Sequence, residues 1–421
     1  MPRFKTLDEW LHWQETLHPV RIDLGLERIR RVAARMGLLS PDHAIITVAG
    51  TNGKGSSVAL LESILQAAGY RVGAYTSPHL LRYNERIRIN GAAVADEMLC
   101  ATFQEIDRQR NGITLSYFEF ATLAALKILT VNAPDIGLLE VGLGGRLDAV
   151  NIIDPDIALV TAIGIDHVEW LGKDRDAIGR EKAGIFRRGR PAVCSDPAPP
   201  PTLAETAETL GAQWYCLQRH FQFGVDGTSW HWSGAGQRYE SLPFPALAGA
   251  HQLENAAGIL MVLALLQERF PVTQSAIARG LERVALAGRC QRIPGDVEVI
   301  LDVAHNPDGA IRLAEVLCKE TPAGQTHLIL GMLDDKDAGG FTTALDPVVD
   351  RWYLAGLEVE RGLPAGELRQ RIAEPGPPGR VHCYPDAGTA FRQARLAATA
   401  GDRIVVCGSF YTVAAVIGCD V

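Results

Sequence analysis

Seven consecutive residues, Gly50-Thr51-Asn52-Gly53-Lys54-Gly55-Ser56, carry three glycines, one lysine and two hydroxyls. Glycines at this spacing let the backbone curl until its N–H groups converge, and a helix that follows adds its positive end to the same point. Such a nest takes an anion. Lys54 is placed to neutralise the charge of a β- or γ-phosphate, and the Ser56 hydroxyl can reach a phosphate or a bound Mg²⁺. The segment departs from the usual P-loop, GxxxxGK[ST], because Gly55 stands between the lysine and the hydroxyl residue. A plain glycine turn is the bland alternative. It is disfavoured because the apolar run Ala44–Ala49 precedes the segment and helical periodicity follows it over Ser57–Ala68, up to Gly69.

Other residues with chemistry to offer stand at the ends of apolar runs. Ser77, in Thr76-Ser77-Pro78-His79-Leu80, offers an oxygen to Mg²⁺, although alone it reads as an ordinary turn. Glu140 ends the run Ile136–Val141 before Gly142-Leu143-Gly144-Gly145, where a carboxylate ligates a metal or positions water; the alternative is an exposed strand end. Asp166 and His167 end Ile157–Ile163, and a lone histidine there is a ligand or a satisfied structural residue. Arg180-Glu181-Lys182-Ala183-Gly184-Ile185 reads by itself as a solvated helix face. No convincing Ser-His-Asp or Cys-His set is found. None of the eight cysteines forms a CxxC pair, so neither zinc nor redox chemistry is signalled and reduced, buried thiols are expected.

The elements that position these residues read as α/β. Buried strands with polar residues at their carboxyl ends, alternating with helices, describe an open sheet whose ligands sit beyond those ends. An amphipathic helix is expected around Trp10 and Trp13, a strand at Arg71–Tyr75, a loop at Asp196–Pro201, a small antiparallel sheet over Trp214–Pro245 and a helix over His251–Leu266. A break at Ala287–Gly295 is followed by strands at Val297–Val303, His327–Leu330, Arg351–Ala355, Arg380–Tyr384 and Arg403–Cys407, which describe a Rossmann-like unit without GxGxxG. The expected architecture is a P-loop mononucleotide-binding domain, residues 1–287, with a mainly parallel sheet and the small antiparallel one, then a Rossmann-like α/β domain, residues 288–421. With 421 residues, 47% hydrophobic and 21% charged, the chain has material for two cores. Its net charge of −8 and lack of a basic block argue against nucleic acid. No stretch of ~18 apolar residues suggests a membrane span, and the charged N-terminal segment lacks the apolar core of a signal peptide, so a cytoplasmic enzyme is expected.

Taken together, GTNGKGS, TSPHL, YFEF, EVGLGGRLDAVN, GIDH, EKAGIF, HQLENA, GRCQ and LDVAHNP, in that order and preceded by Asp23-Leu24-Gly25-Leu26, resemble the folylpolyglutamate synthase and dihydrofolate synthase family, relatives of the Mur peptidoglycan ligases. The extra glycine of GTNGKGS favours the folate branch. The resemblance implies an ATP-dependent amide ligase. A substrate carboxylate takes the γ-phosphoryl group of ATP, and the resulting acyl phosphate is attacked by the amine of L-glutamate. That chemistry needs charge neutralisation and alignment, not a nucleophilic side chain.

By motif, the resemblance implies that Gly50, Thr51, Asn52, Gly53, Lys54, Gly55 and Ser56 hold ATP, with Asn255, Arg289 and Asp302. It implies two Mg²⁺ ions, one on Ser77 and Glu140 and one on His167 and Lys182, with Lys182 carbamylated. Lys54, Glu140, His167 and Lys182 are then the catalytic set. Asp23, Leu24 and Gly25, Ser116, Tyr117, Phe118 and Glu119, and Leu147, Asp148 and Ala149 match the dihydropteroate contacts, with Phe118 stacking on the pterin or serving as a core aromatic. His305 and Asn306 are weaker candidates for glutamate or nucleotide. The implied partners are ATP, L-glutamate, dihydropteroate and reduced folates, for a monomer. Narrower readings are a folylpolyglutamate synthase alone or a Mur-like ligase with another acceptor. A P-loop NTPase or kinase, or a binding module without turnover, fits the long motif set and the second α/β domain less well.

Overall fold

The computed structural model describes residues 3–20, 22–320, 322–372 and 379–419. The chain forms two compact units. The first comprises residues 1–164, 168–246 and 253–284; the second comprises 285–421 and takes in two short segments, 165–167 and 247–252.

In the first unit, eight strands form one sheet: β1 (Ala44–Ala49), β2 (Val72–Tyr75), β3 (Ile87–Ile89), β4 (Ala92–Ala93), β5 (Ile136–Glu140), β6 (Ile157–Val160), β7 (Pro191–Cys194) and β8 (Gln213–Cys216), in the order β4-β3-β2-β5-β1-β6-β7-β8. The pairs from β2 through β8 are parallel, while β3 and β4 join antiparallel at one edge. All six residues of β1 are buried, as a central parallel strand covered on both faces requires. Its neighbours are β5 and β6, with Val48 in register with Glu140 and Ala49 with Val160. The chemistry-bearing ends of these three strands therefore lie side by side.

The antiparallel sheet is smaller than expected: β9 (Phe221–Asp226), β10 (Ser229–Gly234) and β11 (Gln237–Leu242) form it alone. The stretch at Trp214 instead extends the large sheet as β8, parallel to β7. A helix over Pro201–Leu210 makes the crossover that a parallel pair needs, and Trp214 packs on Phe186 with ring centroids 5.9 Å apart. Alternation cannot tell such an edge strand from the first strand of a hairpin.

The helix Lys54–Ala67 starts three residues earlier than the periodicity suggests, with Gly53 at φ 92° as its N-cap. The helix Gln274–Arg283 packs on it at backbone distance. A Cβ on Gly280 would come within 2.5 Å of the Ile64 Cα, and Ser63 Oγ donates to the Gly280 carbonyl at 2.8 Å. The helices Leu7–Leu17 and Tyr117–Asn132 each open on a capping box, Thr6 with Glu9 and Ser116 with Glu119. They meet in an aromatic core of Trp10, Phe103 and Phe120.

The second unit holds β12 (Gln291–Ile293), β13 (Glu298–Leu301), β14 (Thr326–Leu330), β15 (Arg351–Ala355), β16 (Val381–Tyr384) and β17 (Arg403–Cys407), in the order β12-β13-β17-β14-β15-β16. All pairs are parallel except β12 with β13, and helices cover the sheet around a core of Leu328, Leu330, Phe341, Trp352 and Val405.

Candidate active site

The glycine-rich loop leaves the end of β1 and is pinned to the end of β6. Thr51 N–H donates to the Ala162 carbonyl at 2.8 Å and its hydroxyl to the Gly164 carbonyl at 3.0 Å; Thr161 Oγ1 donates to the Asn52 carbonyl at 2.7 Å. Two of its glycines are required by close approach. A Cβ on Gly50 would fall 1.8 Å from Thr161 Oγ1, and one on Gly53 would fall 2.6 Å from Asn255 Oδ1. Asn255, on the helix His251–Leu266, thus lies against the loop despite some 200 intervening residues. Thr161 carried no motif signal, and only its position after β6 hinted at a role.

Two lysines converge on this loop. Lys54 Nζ donates to the carbonyls of Gly50 at 2.9 Å and Thr51 at 3.2 Å. Lys182 ends the helix Arg175–Lys182, is buried, and donates to the same Gly50 carbonyl at 2.8 Å. The residue read as a solvated helix face is therefore packed into the phosphate loop. Ser77 and Glu140 also meet: Ser77 N–H donates to Glu140 Oε2 at 3.2 Å, and Glu140 is buried at the end of β5.

Beyond Gly142 lies Phe118, whose ring would stand 2.5 Å from a Cβ at that glycine and is 6.0 Å from Tyr75. Phe118 is half-buried, and Tyr117 beside it is likewise only partly covered. Ser116 and Glu119 are occupied as the capping box of their helix, and burial pushes the Glu119 carboxyl up. Asp23 accepts from His18 Nε2 at 2.9 Å and Arg28 Nη1 at 2.6 Å, and Leu24 and Gly25 follow without regular structure. Asp148, between Leu147 and Ala149, is buried and caps a 3₁₀ turn through Val150 N–H; it also accepts from Leu143 N–H at 2.8 Å. Burial raises its carboxyl to about 6 against the opposing pull of those backbone donors.

In the second unit, both Asp302 oxygens are taken by backbone, Oδ2 by Cys290 N–H and Oδ1 by Ala304 N–H, each at 2.8 Å. The Arg289 guanidinium lies 5.4 Å from the Phe410 ring centroid. Asn306 caps the helix Pro307–Lys319. His167 belongs to this unit, beside Asp166. Asp166 accepts from Lys336 Nζ at 2.7 Å and Asn306 Nδ2 at 3.3 Å, and His305 Nε2 is 3.4 Å away. Burial alone would raise its carboxyl, but the His305 hydrogen bond and the nearby His167 and Lys336 charges hold it well below the usual range. Lys336 escaped sequence reasoning because GMLDDKD carries no spacing rule.

The donor set at the β2 and β5 ends is a hydroxyl and a carboxylate. Hard oxygens of this kind fit Mg²⁺, which uses few protein ligands and leaves the rest of its shell to water and phosphate. Among the described residues no cluster of three His, Cys, Asp or Glu that could hold a metal ion is found.

Comparison with known proteins gives the relatives of the whole chain. Residues 48–196 match the Mur ligase middle domain and residues 288–410 the Mur ligase glutamate ligase domain. The dihydrofolate synthase/folylpolyglutamate synthase of Escherichia coli strain K12 is 44% identical, over 98% of this chain and 94% of its own. The Haemophilus influenzae protein of the same name is 40% identical, over 97% and 96%. A structure of E. coli FolC in complex with DHPP and ADP aligns with TM-score 0.93 at 43% identity, over 98% of this chain and 97% of that one. The bifunctional folylpolyglutamate synthase/dihydrofolate synthase of Yersinia pestis, complexed with AMPPNP and Mn ion, aligns with TM-score 0.91 at 44% identity, over 98% of both chains. Likeness at this level covers nearly the whole chain, and on it the chain belongs to the dihydrofolate synthase/folylpolyglutamate synthase family of Mur-type ligases.

Proposed function

We infer that this chain is an ATP-dependent, ADP-forming amide ligase that adds L-glutamate to dihydropteroate, giving dihydrofolate, and to reduced folates, giving folylpolyglutamates. The observation that carries the reading is the phosphate loop with Lys54 and Lys182 on one carbonyl, beside the paired Ser77 and Glu140. The two-activity name of the relatives at 40–44% identity supports both acceptors over folate extension alone or another acceptor. Residues 1–287 serve as the P-loop ATPase domain and 288–421 as the Rossmann-like ligase domain.

The loop of residues 50–56, through Lys54 and the N–H groups not already given to the Ala162 carbonyl, holds the triphosphate and draws charge from its γ-phosphorus. Asn255, Arg289 and Asp302 hold the rest of the nucleotide. A carboxylate oxygen of the pterin substrate attacks that phosphorus in line, ADP leaves, and an acyl phosphate forms. The glutamate amine then attacks the acyl carbon, losing a proton, and phosphate departs with the former carboxylate oxygen. Ser77 and Glu140 would hold one Mg²⁺, and His167 and carbamylated Lys182 a second; such ions would neutralise phosphate charge. Phe118 stacks on the pterin, which Asp23 and Asp148 and the adjoining Leu24, Gly25, Ser116, Tyr117, Glu119, Leu147 and Ala149 frame. His305 and Asn306 are the candidates for glutamate. The enzyme is proposed as a cytoplasmic monomer; among the described residues no helix is long and apolar enough to cross a membrane.

The test is ADP release with MgATP and either dihydropteroate or tetrahydrofolate, with and without L-glutamate. Glutamate-dependent ADP with both acceptors is expected; ADP release indifferent to glutamate overturns the ligase reading. Two variants probe the parts. Gly53→Ala meets Asn255 and forces a left-handed residue to carry a Cβ, a strain of roughly 1–3 kcal/mol. Nucleotide affinity, read by titration with ADP, is expected to fall at least tenfold, and unchanged affinity removes Asn255 from the loop's support. Phe118→Ala is expected to lower kcat/KM for dihydropteroate by the ~1–3 kcal/mol that stacking on a base-like ring is worth, and folate extension by less if the two acceptors lie differently. Equal losses mean one shared pterin pose.

A further inference from the structure

Arg86 is a cation in the wrong place for a surface residue. It is buried, at 8% exposure, at the end of the 3₁₀ turn Tyr83–Arg86 that opens β3. Its Nε donates to His79 Nδ1 at 2.9 Å, and its guanidinium lies 5.4 Å from the Tyr83 ring centroid and 5.6 Å from that of Tyr117. Among the described residues no carboxylate pairs with it, and its two terminal nitrogens make no hydrogen bond. The Tyr83 hydroxyl in the same cage is buried without a partner. Elsewhere in this unit the partly buried arginines have acids: Arg88 has Glu62, and Arg110 has Asp107. A mostly buried guanidinium with no carboxylate beside it is costly, so the cage suits an anion that comes with a ligand.

The position says which ligand. The Arg86 carbonyl accepts from Thr76 N–H at 2.8 Å, one residue before Ser77, the hydroxyl assigned above to the metal ion. Its ring neighbour Tyr117 adjoins Phe118, on the side of the pterin. On the reading above, Arg86 therefore adjoins both the strand end assigned to the ion and the helix start assigned to the pterin. A folyl substrate carries two carboxylates on its terminal glutamate: the γ-carboxylate reacts, and the α-carboxylate does not. Dihydropteroate has a single carboxylate, which is consumed.

We propose that Arg86, caged by His79, Tyr83 and Tyr117, is the specificity residue that holds the non-reacting α-carboxylate of the folyl substrate. It thereby favours folate extension without a matching contact in the dihydropteroate reaction. This rests on the ligase reading above. Arg86 is a binding residue here and takes no part in phosphoryl transfer. A fork of two donors on one carboxylate explains why arginine, not lysine, stands at this point.

The experiment uses the full chain, MgATP and L-glutamate with three acceptors: tetrahydrofolate, its α-carboxamide and dihydropteroate. In the wild type, the α-carboxamide is expected to show a KM about ten- to a hundredfold above that of tetrahydrofolate, with kcat little changed. Arg86→Gln is expected to raise the tetrahydrofolate KM to the same degree, to lose the acid-over-amide preference, and to raise the dihydropteroate KM at least fivefold less. Arg86→Lys is expected to restore part of the preference. A wild type that accepts acid and amide equally overturns the proposal, whether or not either variant folds. So does an Arg86→Gln enzyme that still prefers the acid, or that loses both acceptors equally. Glutamate-dependent ADP release from dihydropteroate in the wild type keeps the ligase reading standing in each of those cases, and its absence with every acceptor is what fails that reading instead.

Discussion

Lys54→Ala is expected to leave the fold intact and to lower kcat for both ligation reactions by at least roughly 10²–10³-fold, the scale on which single transition-state donors act. The side chain reaches back to the Gly50 and Thr51 carbonyls of its own loop. Those are local bonds, and the loop keeps its shape through Thr51, Thr161 and the strand ends. What disappears is the charge. The helix Lys54–Ala67 contributes a partial positive end, about half an elementary charge, to a group that develops several negative ones. Phosphoryl transfer through a loose transition state depends on charge neutralisation and positioning more than on covalent help. Far-ultraviolet circular dichroism and a thermal melt check the fold, and single-turnover ADP formation checks the chemistry. Near-normal turnover in the variant would show that residues 50–56 do not hold the reacting phosphate.

Lys182 is expected to carry a carboxyl group on Nζ, and Lys182→Ala to lose activity on a similar scale. Lys54 and Lys182 donate to one carbonyl oxygen, that of Gly50. Two full ammonium charges at that spacing, one of them buried, repel each other. Carbamylation turns the second into an anion and keeps one N–H on Nζ, which is all the Gly50 carbonyl needs. It also converts a repelled cation into an oxygen donor of the kind Mg²⁺ takes. Growth with ¹³C-bicarbonate and observation of a carbamate carbon by NMR reads the modification independently of turnover. Lys182→Ala removes the signal, and short carboxylic acids added to that variant are expected to restore part of the activity by filling the space. A wild-type protein with no carbamate signal, or an alanine variant with full activity, would overturn this.

Much of the site was legible because its chemistry is local. The β1 strand, the glycine-rich loop and the helix after it are contiguous, and glycine spacing, one lysine and an apolar run suffice to announce them. Glu140 and Ser77 were legible for a related reason: in a parallel sheet covered on both faces, strands read as unbroken apolar runs, and the polar residue that ends one stands at the ligand edge. The second α/β unit declared itself by the same alternation, with Arg351–Ala355 and Arg403–Cys407 falling on strands of those bounds.

What periodicity lacks is the order in which strands and helices come together, and everything that order creates was hidden. Lys182 read as an exposed helix face because nothing in Arg180–Ile185 records that this helix end meets Gly50, 132 residues away. Thr161 and Asn255 became parts of the phosphate loop only through β6 beside β1 and the packing of the helix His251–Leu266. Trp214 joined the large sheet because a crossover helix returned it beside β7, whereas alternation allowed a hairpin equally well. The pairing of Asp166 with Lys336, and the cage that leaves Arg86 without an acid, likewise join residues whose spacing follows no rule. Local chemistry is written in adjacent residues. Burial, partnership and the loss of a partner are properties of neighbours brought together by the sheet order, so the tertiary structure alone decides them.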